Sequence, residues 1–331
     1  PERGQLPLEG AIKYLVLSAC ASAMLLYGFA LIYAAAGELS YAGIGAKGAA
    51  AYAENPMLIM AGSAMVLAGI GFKLSVAPFH MWTPDVYQGA PTPVTGFLAT
   101  VSKGAVFVAL SRFYIDGALY QYSGLNTALM VLAITSMLVG NWLALRQENI
   151  KRLLAYSSIA HFGYLLVVLI ALTHLDAGLI SQSITFYLTA YILTTLAAFA
   201  VVSTVAGEDP AKQDISAFEG LFWHRPLEAS ALTVAMLSLA GIPLTAGFMA
   251  KFFVITVGIQ SGLWVLLAVL VVGSAVGIYY YLRVIFAMSK STDGDGESAN
   301  LLENILALAL LAAILVLGSW PQPFIAYAGG L

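Results

Sequence analysis

The chain has 331 residues, of which 60% are hydrophobic and only 9% are charged, and its mean hydropathy is +0.88. Soluble domains carry roughly 25% charged residues, so the charged side chains here are too few to cover a water-facing surface. The composition therefore indicates an integral membrane protein. A net charge of −3 gives no basic surface for nucleic acid, and the single cysteine, Cys20, excludes a disulfide framework and a thiolate metal site.

Long apolar runs define the fold class. Runs of about 20 apolar residues predict helices that cross a bilayer, and their continuity argues against the alternating pattern of a transmembrane β-barrel. We therefore expect an all-α, polytopic transmembrane helix bundle that forms one membrane domain over residues 1–331. The nine predicted spans are 8–36, 57–80, 93–115, 124–145, 150–173, 178–206, 226–257, 262–288 and 300–319.

The Lys and Arg residues between the spans indicate the orientation. With nine spans, eight of these residues fall on one side of the membrane and two on the other, and positive residues mark the cytoplasmic side. We therefore expect Pro1 inside and Leu331 outside. The eight inside residues are Arg3, Arg146, Lys151, Arg152, Lys212, Arg225, Arg283 and Lys290, and the two outside are Lys47 and Arg112.

Three lysines, Lys73, Lys103 and Lys251, lie inside predicted spans, and no acidic residue falls in the middle of a span. An ammonium group at mid-membrane costs about 2.5–3.5 kcal/mol, so three of them indicate a function. Full burial can bring the pKa of a lysine from about 10.4 to about 5–6, which suits a proton carrier. Two such charges about 10 Å apart, at an effective dielectric of about 20, repel by about 1.7 kcal/mol, so protonation of one can displace a proton from the next. The alternative for each lysine is structural, with the amine bonded to carbonyls that a helix break frees.

Two of the lysines lie beside predicted helix breaks. Lys73 precedes Pro78 and Pro84, and Lys251 follows Pro243. Proline removes a backbone donor, and in hydrocarbon such a break survives only where protein or water covers it. Interrupted spans in two halves of a chain are typical of an ion pathway at mid-membrane.

Four other titratable residues are weaker candidates. His161 lies midway along the fifth span and His80 lies near a break, and each is either a proton relay or a hydrogen-bonded core histidine. Lys13 follows Glu9 by four residues, so the two can form a helical ion pair, although Lys13 can instead extend to the membrane interface. A G-x-G-x-x-G match at 43–48 falls in a predicted loop with no strand before it, so we do not interpret it as a nucleotide site.

Three long segments resemble the antiporter-like subunits of respiratory complex I. They are KLSVAPFHMWTPDVYQGAPTPVTGFLATVSK at 73–103, NIKRLLAYSSIAHFGYLL at 149–166 and LFWHRPLEASALTVAMLSLAGIPLTAGFMAKFFV at 221–254. The resemblance implies an antiporter-like fold of two inverted five-helix repeats that forms a proton channel. In that family a lysine on each of two broken helices works with a lysine between them, and these match Lys73, Lys251 and Lys103.

The resemblance also implies a biological setting. It implies a subunit of a proton-translocating NADH–quinone oxidoreductase in a bacterial inner membrane, with other complex I membrane subunits as partners. It implies no redox cofactor in this chain, because NAD and quinone bind to partner subunits. Family members carry a glutamate on an earlier helix, so we expect that an N-terminal portion of the full subunit precedes Pro1 and supplies the acidic partner of Lys73. The alternatives are a subunit of a multi-subunit sodium/proton antiporter and a structural membrane subunit that transports nothing.

Overall fold

The computed structural model describes residues 5–207, 209–291 and 301–328. Within these ranges the chain is helical, and extended pairing is limited to an isolated bridge between Asn149 and Asp214. The predicted all-α membrane bundle is confirmed, because eight of the described helices are long and apolar enough to cross a membrane. Pro1, Arg3 and Leu331, which enter the predicted orientation, lie outside the described residues.

The first half of the bundle contains one broken helix, made of α3 and α4, which packs against continuous helices. Helix α1 packs along α3 and α4, and a π-helical turn at Leu98–Ser102 joins α5 to α6 within the single span Thr92–Asp116. The helices of this half are α1 (Gln5–Ala36), α2 (Tyr41–Glu54), α3 (Pro56–Leu74), α4 (Trp82–Gly89), α5 (Thr92–Phe97), α6 (Lys103–Asp116) and α7 (Ser123–Ala144).

Helix α2 corrects one expectation. Residues 43–48 were expected in a loop, but they lie inside α2. The helix starts at Ser40, whose hydroxyl accepts a hydrogen bond from the Gly43 N–H at 3.1 Å, a typical N-cap. Because no strand precedes this segment within the described residues, the glycine pattern is not a nucleotide-binding turn.

The second half of the bundle is organised around α8. Nearly every residue of α8 is buried, and α8 contacts α4, α7, α9 and α12. Asn149 starts this helix, because its side chain accepts hydrogen bonds from the first free backbone donors. The helices of this half are α8 (Ile150–Ile170), α9 (Ala177–Ala206), α10 (Leu221–His224), α11 (Pro226–Ala240), α12 (Ala246–Gln260), α13 (Trp264–Ser289), α14 (Leu301–Ser319) and α15 (Gln322–Ala328).

Both predicted helix breaks are present. The predicted span 57–80 stops being helical at Leu74, because Ser75 adopts a left-handed conformation with φ 62°. The predicted span 226–257 is two helices, α11 and α12, separated by Gly241 and Leu244 with φ of 84° and 73°. The nine predicted spans therefore correspond to eight long helices and one interrupted pair.

Side chains satisfy the backbone at the first break. The Ala77 N–H donates to the Ser136 hydroxyl at 2.9 Å. The Thr135 hydroxyl lies 3.1 Å from the Ala77 carbonyl and 2.7 Å from the Val131 carbonyl, and it donates to one of them at a time. The Trp82 indole donates to the Phe72 carbonyl at 3.0 Å, near the end of α3. These bonds replace the helical ones that the break removes, which hydrocarbon requires.

At the second break, α12 approaches α11 closely. The Gly247 N–H donates to the Ser238 hydroxyl at 3.0 Å, and the Thr245 hydroxyl donates to the Ile242 carbonyl at 2.7 Å. A Cβ atom at Gly247 would overlap the Ser238 carbonyl. Glycine is therefore required where the two half-helices meet.

We expect Gly247→Ala to lower the free energy of unfolding of the full-length protein by about 1–3 kcal/mol or more, because overpacking forces the two half-helices apart. The measurement is the midpoint of thermal aggregation of the detergent-solubilised protein. Gly277→Ala in α13 is the matched control, because a Cβ atom there would meet no neighbour closer than 3.5 Å. Equal midpoints for the two variants would contradict the close approach of α12 to α11.

Candidate functional site: buried lysines in a hydroxyl network

Lys103 is the most deeply buried of the three predicted lysines. It is 1% exposed and follows directly on the π-helical turn. Its Nζ atom donates to the Ser158 hydroxyl at 2.8 Å and lies 5.4 and 5.5 Å from the ring centroids of Tyr87 and Phe162. Aromatic faces attract a cation, and π turns occur frequently at functional sites. The site is thus built to hold an amine away from water.

Ser158 connects Lys103 to α9. The Ser158 hydroxyl also accepts from the Tyr191 phenol at 2.8 Å, and the same phenol lies 3.1 Å from the Ala99 carbonyl. A phenol carries one proton, so Tyr191 donates to one of these two oxygens at a time. The link between Ser158 and α9 therefore has two hydrogen-bonding arrangements.

Lys251 lies in the break between α11 and α12. It is 7% exposed, and its Nζ atom donates to the Ala240 carbonyl at 2.8 Å and to the Ser274 hydroxyl at 2.7 Å. Ala240 is the last residue of α11, where carbonyls have no helical partner. The amine therefore caps the interrupted helix, as a structural lysine does, and at the same time bonds a hydroxyl on α13.

His161 stands between the two buried lysines. It is 5% exposed, with Nδ1 2.8 Å from the Tyr187 hydroxyl and Nε2 3.3 Å from the Tyr281 hydroxyl. Tyr281 is also hydrogen-bonded to Ser157, one helical turn before His161. Both ring nitrogens of His161 thus have hydroxyl partners, so the imidazole can take either tautomer.

A small cavity separates His161 from the second break. Its volume is about 10 Å³, and His161, Leu239, Gly247 and Ala250 are among its lining residues. Such a cavity is about the size of one water molecule. Lys251 itself is not among the residues that line this cavity, so the cavity lies beside the imidazole and the start of α12.

Tyr164 links Lys251 to a further buried group. The Lys251 amine is 5.5 Å from the Tyr164 ring centroid, and the Tyr164 hydroxyl accepts from the Asn141 amide at 2.9 Å. The Asn141 amide oxygen accepts from the Tyr280 hydroxyl at 3.0 Å. The polar network therefore extends from α8 to α7 and α13.

Lys73 and His80 lie apart from this network. Lys73 is half-buried near the end of α3 and, within the described part of the chain, has neither an ion pair nor a hydrogen bond. His80 is half-buried in the first break, 6.4 Å from the Tyr156 ring, and its Nδ1 atom has no hydrogen-bond partner among the described residues. Ring contacts bring Lys103, His161 and Lys251 near one another, because the His161 ring lies 5.6 Å from the Tyr191 ring and 5.5 Å from the Tyr164 ring. Among the described residues no hydrogen bond joins these three directly, and none joins Lys73 or His80 to them.

The Glu9–Lys13 ion pair expected from the sequence is present, and it belongs to a larger cluster. Lys13 Nζ lies 2.5 Å from Glu9 Oε1 and 2.6 Å from Asp85 Oδ2. Asp85 Oδ1 accepts from Arg152 Nη1 at 2.7 Å. This cluster ties α4 to both α1 and α8. The sequence did not reveal Asp85 as their partner, because it is 67 or more residues from either cation.

Lys151, one of the positive residues counted on the cytoplasmic side, is buried. It is 1% exposed, and its Nζ atom donates to the Ala90 carbonyl at 2.7 Å. Ala90 ends α4, and the carbonyl end of a helix attracts a cation. The carbonyl end of α4, the second half of the broken helix, therefore stabilises the buried Lys151 amine.

Sequence reasoning missed the polar face of α9. Tyr187, Tyr191 and Thr194 recur at intervals of four and three residues, which places them on one side of a helix. Thr194 also contacts the Ser238 hydroxyl at 3.0 Å. Polar residues at helical spacing within an apolar span are the signal that could have found them. In the described ranges no group of three or more His, Cys, Asp or Glu side chains could hold a metal ion.

The sequence has clear relatives. Residues 3–277 match the family described as NADH:quinone oxidoreductase/Mrp antiporter, TM. The chain is 49% identical over 326 residues to NADH-quinone oxidoreductase subunit N of Methylococcus capsulatus (strain Bath), a match that covers 98% of this chain. This chain spans 65% of the length of that relative.

Solved structures show the same fold. A chain of respiratory complex I from Thermus thermophilus superposes with a TM-score of 0.84 at 38% identity, covering 98% of this chain and 70% of that one. A chain of an archaeal membrane-bound sulfane sulfur reductase superposes with a TM-score of 0.83 at 28% identity. That match covers 99% of this chain and 67% of the other. A chain of the Mrp complex from Dietzia sp. DQ12-45-1b superposes with a TM-score of 0.82 at 21% identity, a likeness that concerns the fold alone. It covers 98% of this chain and 67% of the other. The resemblance read from the sequence is thus confirmed, and the chain belongs to the NADH:quinone oxidoreductase/Mrp antiporter transmembrane family.

Proposed function

We propose that this chain moves protons across a bacterial inner membrane as part of subunit N of an NADH–quinone oxidoreductase. The 49% sequence identity between this chain and a subunit N supports the assignment. In this proposal the partners are the other membrane subunits of complex I, and the subunits that bind NAD and quinone carry out electron transfer. This chain contributes the proton path.

One observation carries the proposal: the environment of the two buried lysines. In the described part of the chain, neither Lys103 nor Lys251 has a carboxylate partner, and each bonds a serine hydroxyl. A buried cation that serves only structure is normally paired with an anion. An amine surrounded by hydroxyls can instead gain or lose a proton, because a hydroxyl both donates and accepts.

The proposed path runs along α8. A proton passes from Lys103 through the Ser158 and Tyr191 hydroxyls towards His161, whose ring lies 5.6 Å from the Tyr191 ring. The proposed step from His161 to Lys251 runs past Tyr164, whose ring centroid lies 5.5 Å from the imidazole centroid and 5.5 Å from the Lys251 Nζ atom, with water as the carrier. Ordered water bridges polar groups nearly as well as a direct hydrogen bond.

Lys73 is the third proposed station, at the first break. A half-buried ammonium group requires a nearby carboxylate for its stabilisation, but the described residues place none beside Lys73. We therefore propose that the counter-charge comes from outside the described residues. His80, at the same break, is a proposed relay residue with a free Nδ1 atom in this part of the structure.

The proposed orientation places the N-terminal end of the chain in the cytoplasm. Segments that carry many of the positive residues meet at one end of the bundle: Arg283 donates to the carbonyls of Leu145 and Gln147, and Lys290 pairs with Glu219 at 2.5 Å. A cluster of Lys and Arg at one end supports a cytoplasmic position for that end.

We expect Lys251→Met to lower NADH-driven proton pumping at least about tenfold, as the loss of a proton-transfer group does. The rate of proton pumping is measured with a pH-sensitive dye in vesicles that hold the assembled complex with the full-length subunit. The amount of assembled complex is measured in parallel. Lys290→Met is the matched control, because Lys290 is exposed and pairs with Glu219. Normal pumping in the Lys251 variant would end the relay proposal, and loss of assembly with normal pumping per complex would favour a structural subunit.

We expect Tyr191→Phe to slow pumping without reducing the amount of complex, because it removes the hydroxyl between Ser158 and α9. Tyr114→Phe is the control: it removes another buried phenol, whose hydroxyl donates to the Asn126 side chain at 2.5 Å. Either change removes one hydrogen bond worth about 1 kcal/mol. Equal pumping rates in the two variants would show that Tyr191 lies outside the path.

We expect pumping to persist when sodium is replaced by choline, because the proposed path consists of amines, hydroxyls and an imidazole that transfer protons. A sodium/proton antiporter subunit would instead require sodium. The measurement is the rate of NADH-driven acidification in sodium-free vesicles, with sodium added back as the control. A rate that follows the sodium concentration would favour the antiporter alternative.

A further inference from the structure

A groove of about 420 Å³ opens between α5, α9, α11 and α14, and none of the residues of the lysine network lines it. Its polar lining residues come from the same end of the bundle: Thr92 begins α5, Thr204 lies in the last turn of α9, and Glu228 and Glu303 lie in the first turns of α11 and α14. The groove therefore has a polar end.

The rest of the groove is apolar and runs into the membrane-spanning part of the bundle. Along α9 it extends from Thr204 to Leu196, which is about 12 Å of helix. Phe199, Leu306 and Leu310 form its walls. The groove is thus an apolar slot with charged and hydroxyl groups at its mouth.

Glu228 is the unusual residue at this mouth. It is 2% exposed, and its Oε1 atom has no hydrogen-bond partner in the described part of the chain. Arg225 forms an ion pair with this carboxylate, but its Nη1 atom lies 3.9 Å from Oε1, which is beyond hydrogen-bonding distance. The Thr92 hydroxyl is 3% exposed and also lacks a partner there. Buried polar groups are normally hydrogen-bonded, so these two indicate a ligand.

The lining of the groove restricts that ligand, because its walls are apolar along about 12 Å of α9. An extended peptide would bring unsatisfied backbone groups into hydrocarbon. A hydrocarbon chain matches the apolar lining.

We propose that the groove binds a phospholipid with a primary ammonium head group, such as phosphatidylethanolamine. The ammonium group donates to Glu228 Oε1, and one acyl chain fills the slot along α9 and α14. Arg225 places a positive charge beside the carboxylate, where the phosphate of such a lipid lies.

The test uses the assembled complex with the full-length subunit, in nanodiscs that contain photoactivatable phosphatidylethanolamine. Cross-linking to this chain is measured in competition with unlabelled phosphatidylethanolamine or phosphatidylcholine. Phosphatidylcholine has a quaternary ammonium group that cannot donate a hydrogen bond. We expect it to compete at least about tenfold less well, as the loss of a charge-assisted hydrogen bond predicts.

Glu228→Gln should remove the preference between the two competing lipids. Glu219→Gln is the matched control, because Glu219 lines a different groove of about 330 Å³ and pairs with Lys290. The wild-type competition is decisive even if the Glu228 variant does not assemble. Equal competition by both lipids, or an unchanged preference in Glu228→Gln, would overturn the proposal.

A photo-reactive amino acid at Leu306 identifies the occupant directly, because this side chain is exposed and lines the groove. We expect it to cross-link to lipid. Cross-linking to another part of the full-length subunit or to a neighbouring subunit would show that protein fills the groove and would overturn the lipid proposal. Neither readout depends on proton pumping, so a failure of the lipid proposal can be distinguished from a failure of the proposed function.

Discussion

The bond from the Lys251 amine to the Ala240 carbonyl joins the helix break to the buried charge. In hydrocarbon a carbonyl without a donor costs several kcal/mol, so α11 can stop at Ala240 only if a donor is supplied there. The Lys251 side chain supplies it from the following half-helix. The break therefore creates the acceptor that allows a lysine to be buried, and the lysine makes the break stable. Gly241 and Gly247 let the two half-helices come close enough for this bond.

Helix α8 makes a second contribution, because it carries polar residues through the centre of the bundle. Ser157, Ser158, His161 and Tyr164 follow one another at intervals of one or three residues, and all four are buried. Such a helix would be unfavourable in contact with lipid. Packing against α4, α7, α9 and α12 shields it and provides partner hydroxyls. A satisfied polar network of this kind also fixes the register of the helices, because a shift of one residue would leave several buried groups without partners.

The sequence predicted the parts of this arrangement that depend on local pattern. Apolar length located the spans, and prolines and glycines beside Lys73 and Lys251 located both breaks. The hydrogen-bond partners depend on tertiary packing, which a single sequence does not reveal. Ser158 is 55 residues from Lys103, and Ser274 is 23 residues beyond Lys251. The π-helical turn before Lys103 has no clear sequence signal, and α2 was mistaken for a loop because glycine and alanine dominate it. The burial of Lys151 was not visible in the sequence, because its acceptor is the end of a half-helix that only the fold brings near.

The two buried lysines differ in what they lose when they release a proton. A neutral amine has two N–H groups and an ammonium group has three. At Lys251 two oxygen acceptors, on Ala240 and Ser274, are bonded, so a neutral amine still caps α11. At Lys103 one hydroxyl and two aromatic faces surround the amine, so the neutral form keeps its hydrogen bond and loses only the attraction of the rings. In the proposed relay, proton release would therefore not require either lysine to give up the bond that holds it in place. The proposed step that can interrupt the path is the rotation of the Tyr191 hydroxyl from Ser158 to the Ala99 carbonyl. Control of the proposed relay would then be a choice between two hydrogen bonds of one phenol.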